Sequence, residues 1–284
     1  MINYYLKQKT KKITSNPPTE SDINKSRKIL FSIFTRYGDT IINLMVIKEF
    51  IKCYPKKDYL ILCPRQMKPY VTAFLPGVEC KAFNKRNLFQ MIKIVKILKK
   101  RKFDIGFNPW SSGLDSCFFI SFCKKFLFYK DFAKPKVVNH YEVVRSYLQL
   151  LEKNWIIKKL KLKNNYKNIL ICPQSTDSKR NISRKRLDII ITDFQRMYDQ
   201  PKIIIASSDK SFFRSGCKRF SFEKTPQSSL EFIKLIKKNE LIVSADSGPL
   251  HIALALKKDL LAFFSTTTPE VVLNTGSCLA INKF

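Results

Sequence analysis

The chain is short of histidine, glycine and acid. Two histidines and seven glycines in 284 residues leave little for a metal centre, and two distant histidines with irregular cysteines supply no ligand set. The GxxxxGK[ST] and GxGxxG patterns are absent, which argues against P-loop NTPases and the common dinucleotide enzymes. A missing GxSxG elbow disfavours a Ser-His-Asp hydrolase. Eight cysteines form no CxxC pair, and several lie in apolar runs such as "LILCP" and "SCFFISFC", where a reduced thiol packs as a small hydrophobe. A reducing cytoplasm fits that usage. No apolar run approaches the roughly 20 residues of a membrane span, and the N-terminal stretch lacks the apolar core of a secretion signal.

Acidic residues number 22 against 53 Lys and Arg, a net charge of +31. Such an excess calls for an anionic partner: nucleic acid, an anionic membrane surface or a phosphorylated substrate. A Lys, Ile and Asn-rich composition bias would also spread lysines along the chain. No RNP motif, helix-turn-helix pattern or zinc module accompanies the charge, so no specific nucleic acid is expected.

What is present is an alternation. Residues 1–27 are polar and aperiodic and are expected to form a basic, flexible arm. From Lys28, short apolar runs ("KILFSIF", "DYLILCP", "VECKAF", "FDIGFNP") alternate with helix-like segments ("TIINLMVIKEFIKCY", "LFQMIKIVKILKK"). Short β runs separated by helical patterns specify a parallel sheet covered on both faces. The segment "YEVVRSYLQLLEKNWIIKKL" reads as a long helix with His140 near its start, closing a first domain over 28–162. The pattern restarts at "NILICPQS" and runs through "KIIIAS", "ELIVSA" and "LLAFFS", giving a second α/β domain over 163–284. Ligands of such sheets bind beyond the carboxyl ends of the strands.

Three strand-to-helix loops carry chemistry-bearing residues. "FTRYGDTIIN" places Gly38 and Asp39 between the first strand and the first helix; Asp39 reads either as a helix N-cap or as a carboxylate able to act as general base. "CPQSTDSKRNISRKR" sets hydroxyls beside Lys179, Arg180 and Arg184 ahead of a helix, a composition suited to a diphosphate or to an ordinary basic surface loop. In "SADSGPLHIALAL", Pro249 suits a first helical turn, Asp246 or Ser247 its cap, and Gly248 a close backbone approach. His251 reads as a buried core histidine or as a residue at that helix mouth. Trp110 in "FNPWSSGLDS" reads as an apolar platform or as part of a plain loop.

Together, "RYGDTIIN", "CPQSTDSKR" and "VSADSGPLHIALAL" followed by "LLAFFSTTTPE" resemble glycosyltransferase family 9, the ADP-heptose:lipopolysaccharide heptosyltransferases, over about Lys28 to Glu270. The resemblance implies a GT-B fold: two Rossmann-like domains facing across a cleft, acceptor on the first and nucleotide-sugar donor on the second. It implies an inverting transfer with no metal and no cofactor, the nucleotide-sugar being a substrate. By the same resemblance Asp39 is the catalytic base, with Gly38 and Trp110 on the acceptor side. Ser175, Thr176, Lys179, Asp246, Ser247, Gly248, His251 and Thr267 line the donor site. The loop after "KIIIA" reads "SSDK" where many members carry a Gly-rich segment followed by an acid, leaving Asp209 as the matching candidate. The chain also ends soon after "TTTPE", where family members usually continue into a closing helix. A membrane-anchored, anionic glycan acceptor would give the positive charge its partner at the cytoplasmic face of a bacterial inner membrane. A transferase fold with another donor, or without catalysis, is the alternative, and a basic nucleic-acid-binding protein the remote one.

Overall fold

Apolar runs of five to seven residues become strands because they bury side chains on both faces, as in Lys28–Ser32, where every residue after the first is buried. In a computed structural model, residues 13–111, 113–133, 139–150, 163–209, 220–226, 228–273 and 278–282 are described. The chain divides into two compact units, residues 1–152 and 153–284. The boundary expected at Leu162 lies outside the described residues.

In the first unit, strands β1 (Lys28–Ser32), β2 (Asp58–Pro64), β3 (Glu79–Phe83), β4 (Ile105–Phe107) and β5 (Lys125–Leu127) form one parallel sheet in the order β3-β2-β1-β4-β5. Helices α1 (Glu20–Lys25), α2 (Tyr37–Cys53), α3 (Lys68–Phe74), α4 (Leu88–Arg101), α5 (Leu114–Ile120) and α6 (His140–Tyr147) complete it. One face of β1 meets α2 through aromatic rings, Phe31 lying 5.7 Å from Phe50 and 5.9 Å from Phe107. The other face packs Leu30, Leu60 and Leu62 against Met91, Ile94 and Leu98 of α4 and Phe119 of α5.

The close fit of α5 on β4 depends on Gly106. A Cβ there would meet Cys123 Sγ and Ile120 Cβ at 2.8 Å and the Ile120 carbonyl at 3.0 Å. Gly106→Ala is therefore expected to destabilise the protein by about 1–3 kcal/mol through overpacking, measured as a lower denaturation midpoint in urea.

Two expectations change here. The basic arm does not extend through residues 13–27 as a flexible segment. Thr19 and Asp22 cap α1 reciprocally, Ile23 is fully buried, and Lys57 Nζ donates to the carbonyls of Ile23 (2.6 Å) and Ser26 (2.7 Å). Asn16 bridges Phe126 through paired backbone hydrogen bonds. The long helix expected from Tyr141 instead stops at Tyr147: Gln149 takes a left-handed backbone (φ 57°), and the Leu150 N–H donates back to the Arg145 carbonyl at 3.0 Å. The remainder of that segment, 151–162, lies outside the described residues.

The second unit holds β6 (Asn168–Cys172), β7 (Lys202–Ser207), β8 (Phe220–Lys224), β9 (Leu241–Ala245), β10 (Asp259–Phe264) and β11 (Cys278–Asn282), all parallel, in the order β11-β10-β9-β6-β7-β8. Its helices are α7 (Arg184–Met197), α8 (Ser229–Lys238), α9 (Gly248–Ala255) and α10 (Pro269–Val272). Ser183 caps α7 by accepting from the Arg186 N–H, so the polar loop before it ends in a defined helix start. Strand order reverses between β1 and β4 in the first unit and between β6 and β9 in the second. Doubly wound sheets open their ligand crevice at such points, outside the carboxyl ends of the strands.

Candidate active site

In the first unit, Asp39 sits at that reversal, in the first turn of α2 just beyond β1. It is not the N-cap: Arg36 holds that position without a side-chain capping bond, and Asp39 is the third helical residue. Burial raises its carboxyl above the ordinary range, and the nearby Arg36 guanidinium opposes the shift only in part. Tyr129 is held within electrostatic reach, its hydroxyl pushed up to about 12 first by burial and then by the Asp39 charge.

The loop after β4 is fixed beside the start of α2. Asn43 of α2 donates to the Pro109 carbonyl at 3.0 Å, and Asn108, fully buried, donates to the Ser111 carbonyl at 2.6 Å. Asn108 Oδ1 accepts from the Tyr129 N–H at 2.9 Å, and the Asn108 N–H donates to the Tyr147 hydroxyl at 2.9 Å. Trp110 emerges from this hub with a left-handed backbone (φ 54°), which costs a non-glycine residue about 1 kcal/mol or more. Its ring lies 4.6 Å from His140 and 5.7 Å from Tyr129. His140 opens α6, as the sequence indicates. Gly38 precedes Asp39 in the same helical turn.

In the second unit the reversal is built around Asp246. Its carboxylate, 4% exposed, accepts from Thr267 Oγ1 at 2.5 Å and from Arg180 Nη1 at 3.2 Å. Its carbonyl accepts from Ser175 Oγ at 3.3 Å, and Ser175 N–H is held by Asn181 Oδ1 at 2.7 Å. Three loops, after β6, β9 and β10, are thus drawn to one carboxylate. Ser265, after β10, adds a bond from its Oγ to the Lys179 carbonyl at 2.7 Å.

Ser247 caps α9 by position, with no side-chain capping bond, and Pro249 occupies the first turn. The N–H groups of Ser247 and Gly248 make no hydrogen bond among the described residues. A Cβ on Gly248 would meet nothing within 4 Å, so the position a side chain would take there is open. His251 is buried in the first turn of α9. The Nε of Arg180 lies 3.7 Å from the Asp177 carboxylate, and the Nε of Arg184 is buried without a hydrogen-bond partner among the described residues, leaving a guanidinium donor unspent at the start of α7.

Ser175, Asp246 and Thr267 are therefore brought together by hydrogen bonds, and Ser247, Gly248 and His251 follow on the same strand-to-helix turn. Thr176 and Lys179 are exposed, and it is Arg180, one residue on from the expected lysine, that reaches Asp246. Asp209 lies exposed after β7, its N–H donating to Ser207 Oγ at 3.0 Å. Gln174 was not anticipated from sequence, yet its Oε1 accepts from Ser207 Oγ and Ser208 N–H, both at 2.8 Å, tying the β7 loop to the β6 loop. Asn108 and Asn181 were also missed. Only the polar residue directly following a buried strand could have flagged Asn108. Among the described residues no three His, Cys, Asp or Glu side chains gather as a metal ligand set.

Two parallel-sheet α/β units, each with polar loops at its point of strand reversal, are the construction of the GT-B glycosyltransferases. The chain resembles glycosyltransferase family 9, the heptosyltransferase family, whose model matches residues 214–277, the stretch that holds Asp246, Ser247, Gly248, His251 and Thr267. Solved structures share the fold. E. coli heptosyltransferase WaaC with ADP aligns at a TM-score of 0.66 and 11% identity, over 90% of this chain and 93% of that one. A family 9 glycosyltransferase from Veillonella parvula aligns at 0.71 and 12%, over 94% and 88%. E. coli ADP-heptose lps heptosyltransferase II aligns at 0.65 and 14%, over 89% and 90%. No curated protein sequence matches the chain.

Proposed function

We propose that the chain is an inverting glycosyltransferase that moves a heptose, or a related sugar, from ADP-heptose or a similar nucleotide-sugar to a lipid-linked, anionic surface glycan. The observation that carries this reading is the Asp246 centre, where Arg180, Thr267 and Ser175 fix a loop whose Ser247 and Gly248 amides make no hydrogen bond among the described residues at the start of α9, with open space beside Gly248. Amides at a helix start and nearby guanidinium groups suit a diphosphate, and they would stabilise the charge that builds on it as its bond to the anomeric carbon of the donor sugar breaks and the new glycosidic bond forms. Asp39 would accept the proton of the attacking hydroxyl, and no resident metal is needed in this scheme. The related structures contribute donor chemistry to the proposal, since WaaC is described with ADP and with ADP-2-deoxy-2-fluoro heptose. No helix among the described residues is long and apolar enough to cross a membrane. We place the protein in the cytoplasm, in peripheral contact with an anionic membrane.

A panel of ADP, UDP, GDP and CMP with their sugar conjugates tests the donor in a thermal-shift assay. ADP and ADP-sugars should raise the melting temperature, because a ligand that binds only the folded state stabilises it. No shift with any nucleotide-sugar would remove the donor site. Gly248→Ala sharpens the result: its Cβ enters open space, so the fold should be unaffected, while a diphosphate against the amide would lose about tenfold or more in affinity.

A further inference from the structure

We propose that the solvent face of α4 is the surface that docks on an anionic phospholipid bilayer. The segment "LFQMIKIVKILKKR" buries Met91, Ile94 and Leu98 against the sheet. It leaves large apolar groups on the other side: Phe89 is 84% exposed, Leu88 53% and Ile92 44%. Phe89, Lys93, Lys96 and Lys100 follow one another at spacings of four, three and four residues, so they form one stripe along the helix. Ile92 and Lys99 flank it. None of these lysines is ion-paired among the described residues, and the first turn of α4 carries no acid.

Lysines alone would be an ordinary solvated face. A cluster of exposed aliphatic and aromatic side chains at one end, continued by unpaired lysines, is instead the pattern of a helix that lies in a membrane interface. The apolar tip enters the headgroup boundary while the lysines extend toward lipid phosphates. Charge decides the occupant, because a neutral apolar partner would leave the four unpaired lysines without a counterpart.

The position also fits. α4 follows β3 through Asn84–Asn87, so its apolar tip lies at the carboxyl edge of the first sheet, the edge that carries Asp39. A cavity of about 460 Å³ opens at this edge, lined in part by Thr35, Arg65, Asn84, Lys85 and Arg86. Docking through α4 would hold that mouth against the leaflet in which a lipid-linked acceptor resides. This use of the surface rests on the acceptor being lipid-linked, whereas the docking itself requires no turnover.

Co-sedimentation of the full chain with phosphatidylglycerol-containing and pure phosphatidylcholine vesicles, at low and high salt, tests the surface. The wild type should bind the anionic vesicles, release at high salt and ignore the neutral ones. F89S/I92S and K93E/K96E, both changing exposed side chains only, should each weaken binding by about tenfold or more. Wild-type binding by both variants would overturn the α4 surface while leaving membrane contact standing elsewhere. Failure of the wild type to bind any vesicle would overturn both. Lipid-free self-association that F89S/I92S abolishes would replace the bilayer with a second copy of this chain. The ADP-induced thermal shift, recorded on the same variants, should be unchanged; it reports the transferase reading separately.

Discussion

Replacing Asp39 with alanine or asparagine is expected to lower the rate of sugar transfer by about 10²–10⁴-fold, the usual contribution of a positioned base, with donor affinity unchanged. Asparagine keeps the size and a hydrogen-bonding oxygen but cannot take up a proton, so equal losses in the two variants would assign the role to basicity. Donor binding should survive because the proposed diphosphate contacts lie on the second unit. The pH profile follows from burial. Only the ionised carboxylate can act as base, and desolvation raises the Asp39 carboxyl above the ordinary carboxylate value. Transfer should therefore fall on the acid side at a pH higher than an exposed aspartate would give, and that limb should vanish in Asp39→Asn.

The same shift predicts a stability effect of definite sign. A carboxyl whose folded-state value is raised favours the folded state below its unfolded value, about 3.9, and that contribution is lost as pH rises through the folded value. At neutral pH the partly desolvated carboxylate is thus a cost, which asparagine removes. Asp39→Asn should melt higher than the wild type near pH 7, and the difference should shrink as the pH approaches the unfolded value. A residue that stabilises the neutral-pH fold less than its amide while sustaining catalysis is the expected trade at a working site.

Asp246→Ala is expected to cost about 2 kcal/mol of stability and to abolish the thermal response to the nucleotide-sugar. Its carboxylate accepts from Thr267 and Arg180, and its removal leaves the hydroxyl without this acceptor and the guanidinium with Asp177 alone, 3.7 Å away. Arg180 is about a third exposed and can recover water, which keeps the cost below that of a fully buried pair. Thr267→Val removes one bond and leaves the ion pair, so it should cost about 1 kcal/mol. In the double variant the two effects should sum to less than their separate values, because both act on the same hydrogen bond.

Much of this arrangement was legible because parallel sheets impose strong patterns. "NILIC", "LIVSA" and "LLAFF" announce strands buried on both faces, and Ser-Gly-Pro after "LIVSA" announces a helix start. Asp39 and Asp246 could be placed at strand ends for that reason. Their partners could not. Which cation of "DSKRNISRKR" reaches Asp246 depends on the 3₁₀ turn at Ser178–Arg180, whose path turns Arg180 inward and leaves Lys179 exposed. The buried network of Asn108 joins residues distant in the chain, Tyr129 and Tyr147, and no local period encodes it. Helix α1 was hidden differently: its reciprocal Thr19–Asp22 cap lies in a polar stretch with a single buried apolar residue, Ile23, too little for a periodic signal. The apparent continuity of the helix after Tyr141 misled because its apolar residues persist past Tyr147, while the stop depends on Gln149 adopting a left-handed backbone.

Mass spectrometry of a lipid-linked core glycan incubated with the protein and ADP-heptose tests the central claim most directly. Sugar transfer requires the acceptor to gain one sugar residue, with one ADP released per residue added, and Asp39→Ala to yield neither. Release of ADP without any glycosylated product, or no product with any nucleotide-sugar that binds, would contradict it.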